Sequence, residues 1–209
     1  MHHIQRLGYI AATLILLQIL PSQIAVRPLG NEVARGQTTE QRRDKAIRLN
    51  KLGVQQLNKG EYQEALKTFE QALAIIKQIG DKAVEGITLY NIGGVYHSLG
   101  EYPKALLHLQ QALTIRKKIG DKAGEGITLN GIGGVYHSLG EYPKALLHYQ
   151  QALAINKQIG DKISESDSLN NIGVAYYSLG KYPKALLHLQ QSLAISKQIG
   201  DNLGCCGWH

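Results

Sequence analysis

Apolar residues recur along most of the chain at intervals of three and four, the spacing that gathers them on one face of an α-helix. Between Asp81 and Gly100 they fall at Ile87, Leu89, Ile92, Val95, Tyr96 and Leu99. Between Tyr102 and Gly120 they fall at Ala105, Leu106, Leu109, Ala112, Leu113 and Ile115. The polar residues between these runs supply the punctuation. Asp81 stands where it can cap the first helix, and Glu85 brings negative charge to the opening turn, where the helix dipole favours it. Gly100-Glu101-Tyr102 reads as the turn, and Pro103 falls in the first turn of the second helix, where no amide hydrogen is needed. Lys117 and Lys118 lie near the negative end of that helix, and Gly120 supplies its C-cap. The same punctuation is expected at Gly80, Gly160 and Gly200, each followed by an aspartate.

The helix pair repeats. Two consecutive 40-residue units, Gly86 to Glu165, differ at only eight positions. The phrase Ser-Leu-Gly-Glu-Tyr-Pro-Lys-Ala-Leu-Leu-His begins at Ser98 and again at Ser138, and returns at Ser178 with Lys181 in place of glutamate. A looser copy runs from Asn58 to Leu66. Four units are therefore expected in a repeat region 43–200, at about 46–85, 86–125, 126–165 and 166–200. No single unit can bury its apolar face, so the units must stack. Gly93 and its counterparts let paired helices approach closely, and the small alanine positions receive the neighbouring ridge.

The order Leu89, Ile92-Gly93, Tyr96, Tyr102, Ala105, Leu109 and Ala112 resembles the tetratricopeptide signature. The third unit repeats it at Leu129, Ile132, Gly133, Tyr136, Tyr142, Ala145, Tyr149 and Ala152. The fourth has Leu169, Ile172, Gly173, Tyr176, Tyr182, Ala185, Leu189 and Ser192. The first has Leu49, Leu52, Gly53, Tyr62, Ala65, Phe69 and Ala72, with Gln56 at the tyrosine position. The resemblance implies an all-α, right-handed superhelical solenoid of four helix-turn-helix repeats. Its 40-residue period is similar to the long-repeat branch of kinesin light chains, Pins spindle adaptors and exported bacterial arrays ahead of caspase-like CHAT domains. The last group is the nearest likeness.

In that family the first helix of each unit lines a concave groove that holds a protein or peptide partner. Carried over, the resemblance places Asn50, Tyr90, Asn130 and Asn170 at one groove position. Asn91 and Asn171 lie at the next, and His97, His137 and Tyr177 lie two turns along. An asparagine amide both donates and accepts, so it can clasp main chain whatever the partner's sequence. Gly131 interrupts the asparagine series in the third unit. The lysine and arginine pattern of chaperone-tail binders is missing, since the matching places carry Asn50, Val54, Asn91, Ile127 and Gly131. Gly94 and Gly134 add second glycines inside helices, read either as groove space or as drift in a duplicated unit.

Charge narrows the partner. The formal net charge is +7, but Lys plus Arg nearly balances Asp plus Glu from Gly60 to Gly204. The excess sits in Arg27, Arg35, Arg42, Arg43, Lys45, Arg48, Lys51 and Lys59. A neutral body with a basic neck offers no continuous cationic stripe, so no nucleic acid partner is expected. No cofactor, metal or catalytic residue is expected either. His108, His148 and His188 sit on separate units and read as a solvated helix face. His97-Ser98 and His137-Ser138 are helix neighbours that point apart, so neither makes a nucleophile–base pair by that adjacency.

The ends differ from the body. Residues 1–25 read as a signal peptide with an apolar run from Leu7 to Leu20, too short for a comfortable bilayer span. The expected location is periplasmic or secreted, with membrane contact only if that segment is retained as an anchor. Residues 26–42 read as a linker and the start of the first helix, and 201–209 as a non-repeat tail. The two cysteines, Cys205 and Cys206, form no recognisable framework. Without a polar capping helix, the face around Leu186, Leu189 and Leu193 is expected to be uncovered and prone to self-association. Two functions follow: a scaffold that binds a peptide or helix in its groove, or the truncated sensor arm of a larger signalling protein whose effector domain, a CHAT domain in the nearest likeness, is missing.

Overall fold

A computed structural model describes residues 29–204, with side chains placed for residues 38–200. The described residues from Thr39 onward form one compact unit. The expected signal peptide lies outside the described residues, as do Cys205 and Cys206.

The described residues form eight helices: α1 Leu29–Asn58, α2 Tyr62–Ile79, α3 Lys82–Ser98, α4 Tyr102–Ile119, α5 Lys122–Ser138, α6 Tyr142–Ile159, α7 Lys162–Ser178 and α8 Tyr182–Gly204. The chain turns as its punctuation directs. The carboxylate of Asp81 accepts from the Val84 amide at 3.1 Å, Asp121 from Gly124 at 2.8 Å, and Asp161 from Ser164 at 3.0 Å. Each satisfies an amide that the helix start would otherwise leave open. Gly80, Gly120 and Gly160 close the preceding helices with φ of 80°, 74° and 73°, a left-handed conformation that costs glycine nothing. Connections this short force neighbouring helices antiparallel.

α4 and α6 each pack on the first helix of their own unit and on the first helix of the next, α2 packs on α3, α8 packs on α7, and the first helices α3, α5 and α7 touch in series. One core cluster shows the join: Leu109 and Leu113 of α4, Leu129, Ile132 and Val135 of α5, and Ala152 of α6 are all buried together. The signature glycines are the pivots of this packing. A Cβ placed on Gly53 would lie 2.6 Å from Phe69 Cε1, on Gly93 2.7 Å from Leu109 Cγ, and on Gly133 2.5 Å from Tyr149 Cε1. The result is an all-α superhelical solenoid of four helix pairs, as expected.

Some boundaries fall elsewhere than expected. α1 is already helical at Leu29, near the beginning of the stretch read as a linker and the start of the first helix, so helix takes up more of that stretch than expected. The unit divisions expected after Glu85 and Glu125 fall in the first turns of α3 and α5; the chain divides instead at Gly80 and Gly120. Gly200 does not end its helix, for α8 runs on to Gly204. At Gly80 the turn is supported from both sides, by the left-handed glycine and by the cap on α3. Gly200 has no positive φ and no described helix after it to cap. On α8, Leu186 and Leu193 are 58% and 55% exposed, whereas their counterparts Leu106, Leu113 and Leu146 are covered wholly or in part. No described helix is long and apolar enough to cross a membrane.

The histidines read as solvated are a correction. His108, His148 and His188 are half-buried and stack on Tyr96, Tyr136 and Tyr176 at 5.4, 5.4 and 5.5 Å between ring centroids. Their Nδ1 atoms are buried without a partner. Sequence spacing placed each on its own unit correctly but could not show the tyrosine one helix back. Burial holds the His108 and His148 imidazoles below the usual histidine value; Lys77 and Lys117 push the same way, while Glu70 opposes at His108. The folded state therefore binds fewer protons than the unfolded chain. Their stabilising contribution is complete above about pH 6.5 and is lost as pH falls through the depressed folded values. Thermal melts from pH 7.5 to pH 5 should show a declining midpoint, and a His108→Gln/His148→Gln variant should show a shallower decline. An equal decline in both proteins would remove the histidines from the account.

Candidate peptide-binding groove

The inner face of the solenoid is built from the first helices, of which α3, α5 and α7 are each pinned between their own second helix and the second helix of the preceding unit. Two clefts open along it. One, of about 190 Å³, is lined by Leu57, Tyr90, Asn91, Gly94, His97, Leu109, Gly131 and Val135. The other, of about 260 Å³, is lined by Tyr90, Ile127, Asn130, Ser164, Asp167, Asn170 and Asn171. Six of the nine expected groove residues line these clefts, and Tyr90 stands between the two. Leu57, Val135, Ser164 and Asp167 were not singled out from the sequence, and Leu109 was read as a signature position rather than a groove residue. Asp167 could have been, because it precedes Asn170 by three residues and so shares its helix face.

The asparagines divide by how their amides are used. Asn50 is buried, and its amide donates to Thr88 Oγ1 at 2.8 Å. Asn130 donates to Ser168 Oγ at 2.9 Å. These two tie one unit to the next. Asn91, Asn170 and Asn171 make no side-chain hydrogen bond among the described residues, so their donors and acceptors face the clefts unspent.

Tyr90 takes the place of an asparagine, and its surroundings change with it. A Cβ on Gly131 would lie 3.1 Å from Tyr90 Cε2, so the glycine that interrupts the asparagine series makes room for the ring. The Arg116 guanidinium lies beside the ring, its carbon 5.5 Å from the centroid, and 4.0 Å from the Asp121 carboxylate. Burial pulls the Arg116 pKa down, partly offset by Asp121 and Tyr90. Burial also raises the Tyr90 phenol, against the opposing pull of Arg116. One repeat later the corresponding residues are Asn130, Asn156 and Asn171. There Asn156 donates to Ser164 O at 2.9 Å and to Ser168 Oγ at 3.0 Å, the same hydroxyl that Asn130 reaches. Tyr90 and Asn130, at the same place in successive units, are thus held by different neighbours.

The remaining expected residues lie further along. His97 Nε2 is 2.8 Å from Ser138 Oγ, and His137 Nε2 is 3.1 Å from Ser178 Oγ. Helix neighbours do point apart, as expected, but each histidine meets the serine of the following unit. Burial lowers the His97 pKa, which favours the neutral ring in this contact. Tyr177 is exposed and meets Tyr182 edge-on at 5.4 Å.

The profile described as tetratricopeptide repeat matches residues 45–118 and 121–198. The chain belongs to the tetratricopeptide repeat family. Among solved structures, this tetratricopeptide array is similar to BtubC (BKLC) from P. vanneervenii, with a TM-score of 0.67 and 20% identity, covering 78% of this chain and 65% of that one. It is also similar to aspartyl phosphate phosphatase F from Bacillus subtilis, with a TM-score of 0.72, 22% identity, and coverage of 77% and 42%. A third is a Rap protein complexed with Competence and Sporulation Factor, with a TM-score of 0.66, 20% identity, and coverage of 74% and 43%. The array thus spans less than two thirds of each of these proteins. At these identities the likeness is one of fold. A search of curated protein sequences gives no significant match.

Proposed function

We propose that this array is a protein-interaction scaffold that holds an extended peptide across the inner face of its second, third and fourth units. The observation that carries the reading is the set of unspent amides at Asn91, Asn170 and Asn171, lining two adjoining clefts on rigid helices. An amide can donate to one main-chain carbonyl and accept from one main-chain N–H, so such a row suits extended backbone. Helices fixed by packing lose little freedom on binding, which keeps the entropic cost of association low. A fold neighbour captured with Competence and Sporulation Factor accords with this reading.

Peptides selected from a random library against the full chain test it. Each net hydrogen bond is worth about 0.5–1.5 kcal/mol, so Asn91→Ala/Asn171→Ala should weaken selected peptides about tenfold or more. Stability should hardly change, because neither amide is bonded within the fold. Peptides that bind the double variant as tightly as the natural chain would place the partner elsewhere.

A further inference from the structure

The inner face is not chemically uniform. Three residues before Asn50, Tyr90, Asn130 and Asn170, the units carry Ile47, Ile87, Ile127 and Asp167. The three isoleucines are 40%, 45% and 39% exposed, and Asp167 is exposed too. The fourth unit therefore presents a carboxylate where the others present a branched alkyl group. That carboxylate forms no ion pair among the described residues; Lys162, near the start of the same helix, is engaged by Glu165 at 2.8 Å. No lysine or arginine lines the cleft in which Asp167 stands.

The neighbouring cleft has the opposite character. Leu57, Leu109 and Val135 supply apolar lining, and no acidic or basic side chain other than His97 lines it. Gly94 and Gly131 keep it open, and a Cβ on Gly94 would have no atom within 4 Å. The space takes one large apolar side chain.

Resting on the groove reading above, we propose that the ligand is an extended peptide with a bulky apolar residue for the first cleft and a lysine or arginine for the second. Tyr90 borders both clefts, the first lined from α1, α3, α4 and α5 and the second from α3, α5 and α7, so they are displaced by at least one helix along the inner face. Packed helices are about 8–10 Å apart and extended chain advances about 3.3 Å per residue, so the two side chains stand about three to four residues apart. Asn91, Asn170 and Asn171 hold the main chain between and around them.

The test is selection of a random peptide library, run in parallel on the full natural chain, on Asp167→Lys and on Gly94→Leu. The natural chain should enrich lysine or arginine about three to four residues from a large apolar residue. Asp167→Lys should weaken those peptides about three- to fivefold, as expected for an exposed ion pair, and should itself select aspartate or glutamate at that place. Gly94→Leu fills the apolar cleft and should cost about tenfold or more. The charge switch is a gain of binding, so it cannot come from misfolding. If the natural chain and Asp167→Lys select the same charge, the proposal is overturned while the groove reading stands. If binding ignores Asn91→Ala/Asn171→Ala as well, or if no peptide is enriched, the groove reading itself fails.

Discussion

Replacing Gly93 with alanine should lower stability by about 1–3 kcal/mol, whereas the same change at Gly94 should raise it by about 1 kcal/mol. The two residues are adjacent in one helix and gain the same helix propensity from a methyl group. They differ only in what that methyl would meet. At Gly93 it lies 2.7 Å from Cγ of the buried Leu109 and 3.3 Å from the Ala105 carbonyl oxygen, which cannot give way without moving α4. At Gly94 it meets nothing within 4 Å. Urea unfolding of both variants reads the contrast directly. A loss of similar size at both positions would mean that close approach of α3 and α4 is not what Gly93 provides.

The second large effect lies between units. Ile76, Arg116 and Asn156 occupy the same place in successive units, facing Val84, Gly124 and Ser164. Ile76 and Val84 share an apolar cluster. A Cβ on Gly124 would collide with Arg116 Nη1 and the Asp121 carboxylate. Gly124→Val alone should therefore destabilise by about 1–3 kcal/mol through overpacking. Arg116→Ile alone removes a buried guanidinium whose Nε has no partner, and should be close to neutral. The double variant copies the Ile76–Val84 pair and should recover most of the loss, giving a favourable coupling of about 0.5–3 kcal/mol. Additive effects in the double-mutant cycle would show that Arg116 and Gly124 are not matched.

Much of this was readable from residues alone. Asp81, Pro103 and Gly120 specify helix ends by local chemistry, and the 40-residue period fixes how many pairs must stack. The close approach at Gly93 and Gly133 follows from the signature. The fate of individual amides was not readable. Asn50 and Asn130 look like Asn170 in sequence, yet their amides turn to Thr88 and Ser168, 38 residues on. No spacing rule within one helix reaches that far, and the same is true of His97 with Ser138. One signal was available. Five of the eight differences between the near-identical second and third units fall at Tyr90/Asn130, Asn91/Gly131, Leu109/Tyr149, Arg116/Asn156 and Gly124/Ser164. These are the groove and the packing beneath it, so comparing the copies with each other would have pointed to the site.

The measurement that bears most directly on the central claim is site-specific photocrosslinking of a library-selected peptide to the full chain. A photoreactive phenylalanine analogue is placed in turn at Val174, the fourth-unit counterpart of the cleft-lining Gly94, and at Leu107 and Leu147, which are exposed on second helices. Crosslinks from Val174, with none from Leu107 or Leu147, are the result expected of a groove-bound peptide. Crosslinks confined to Leu107 and Leu147 would contradict it and move the binding surface to the second helices.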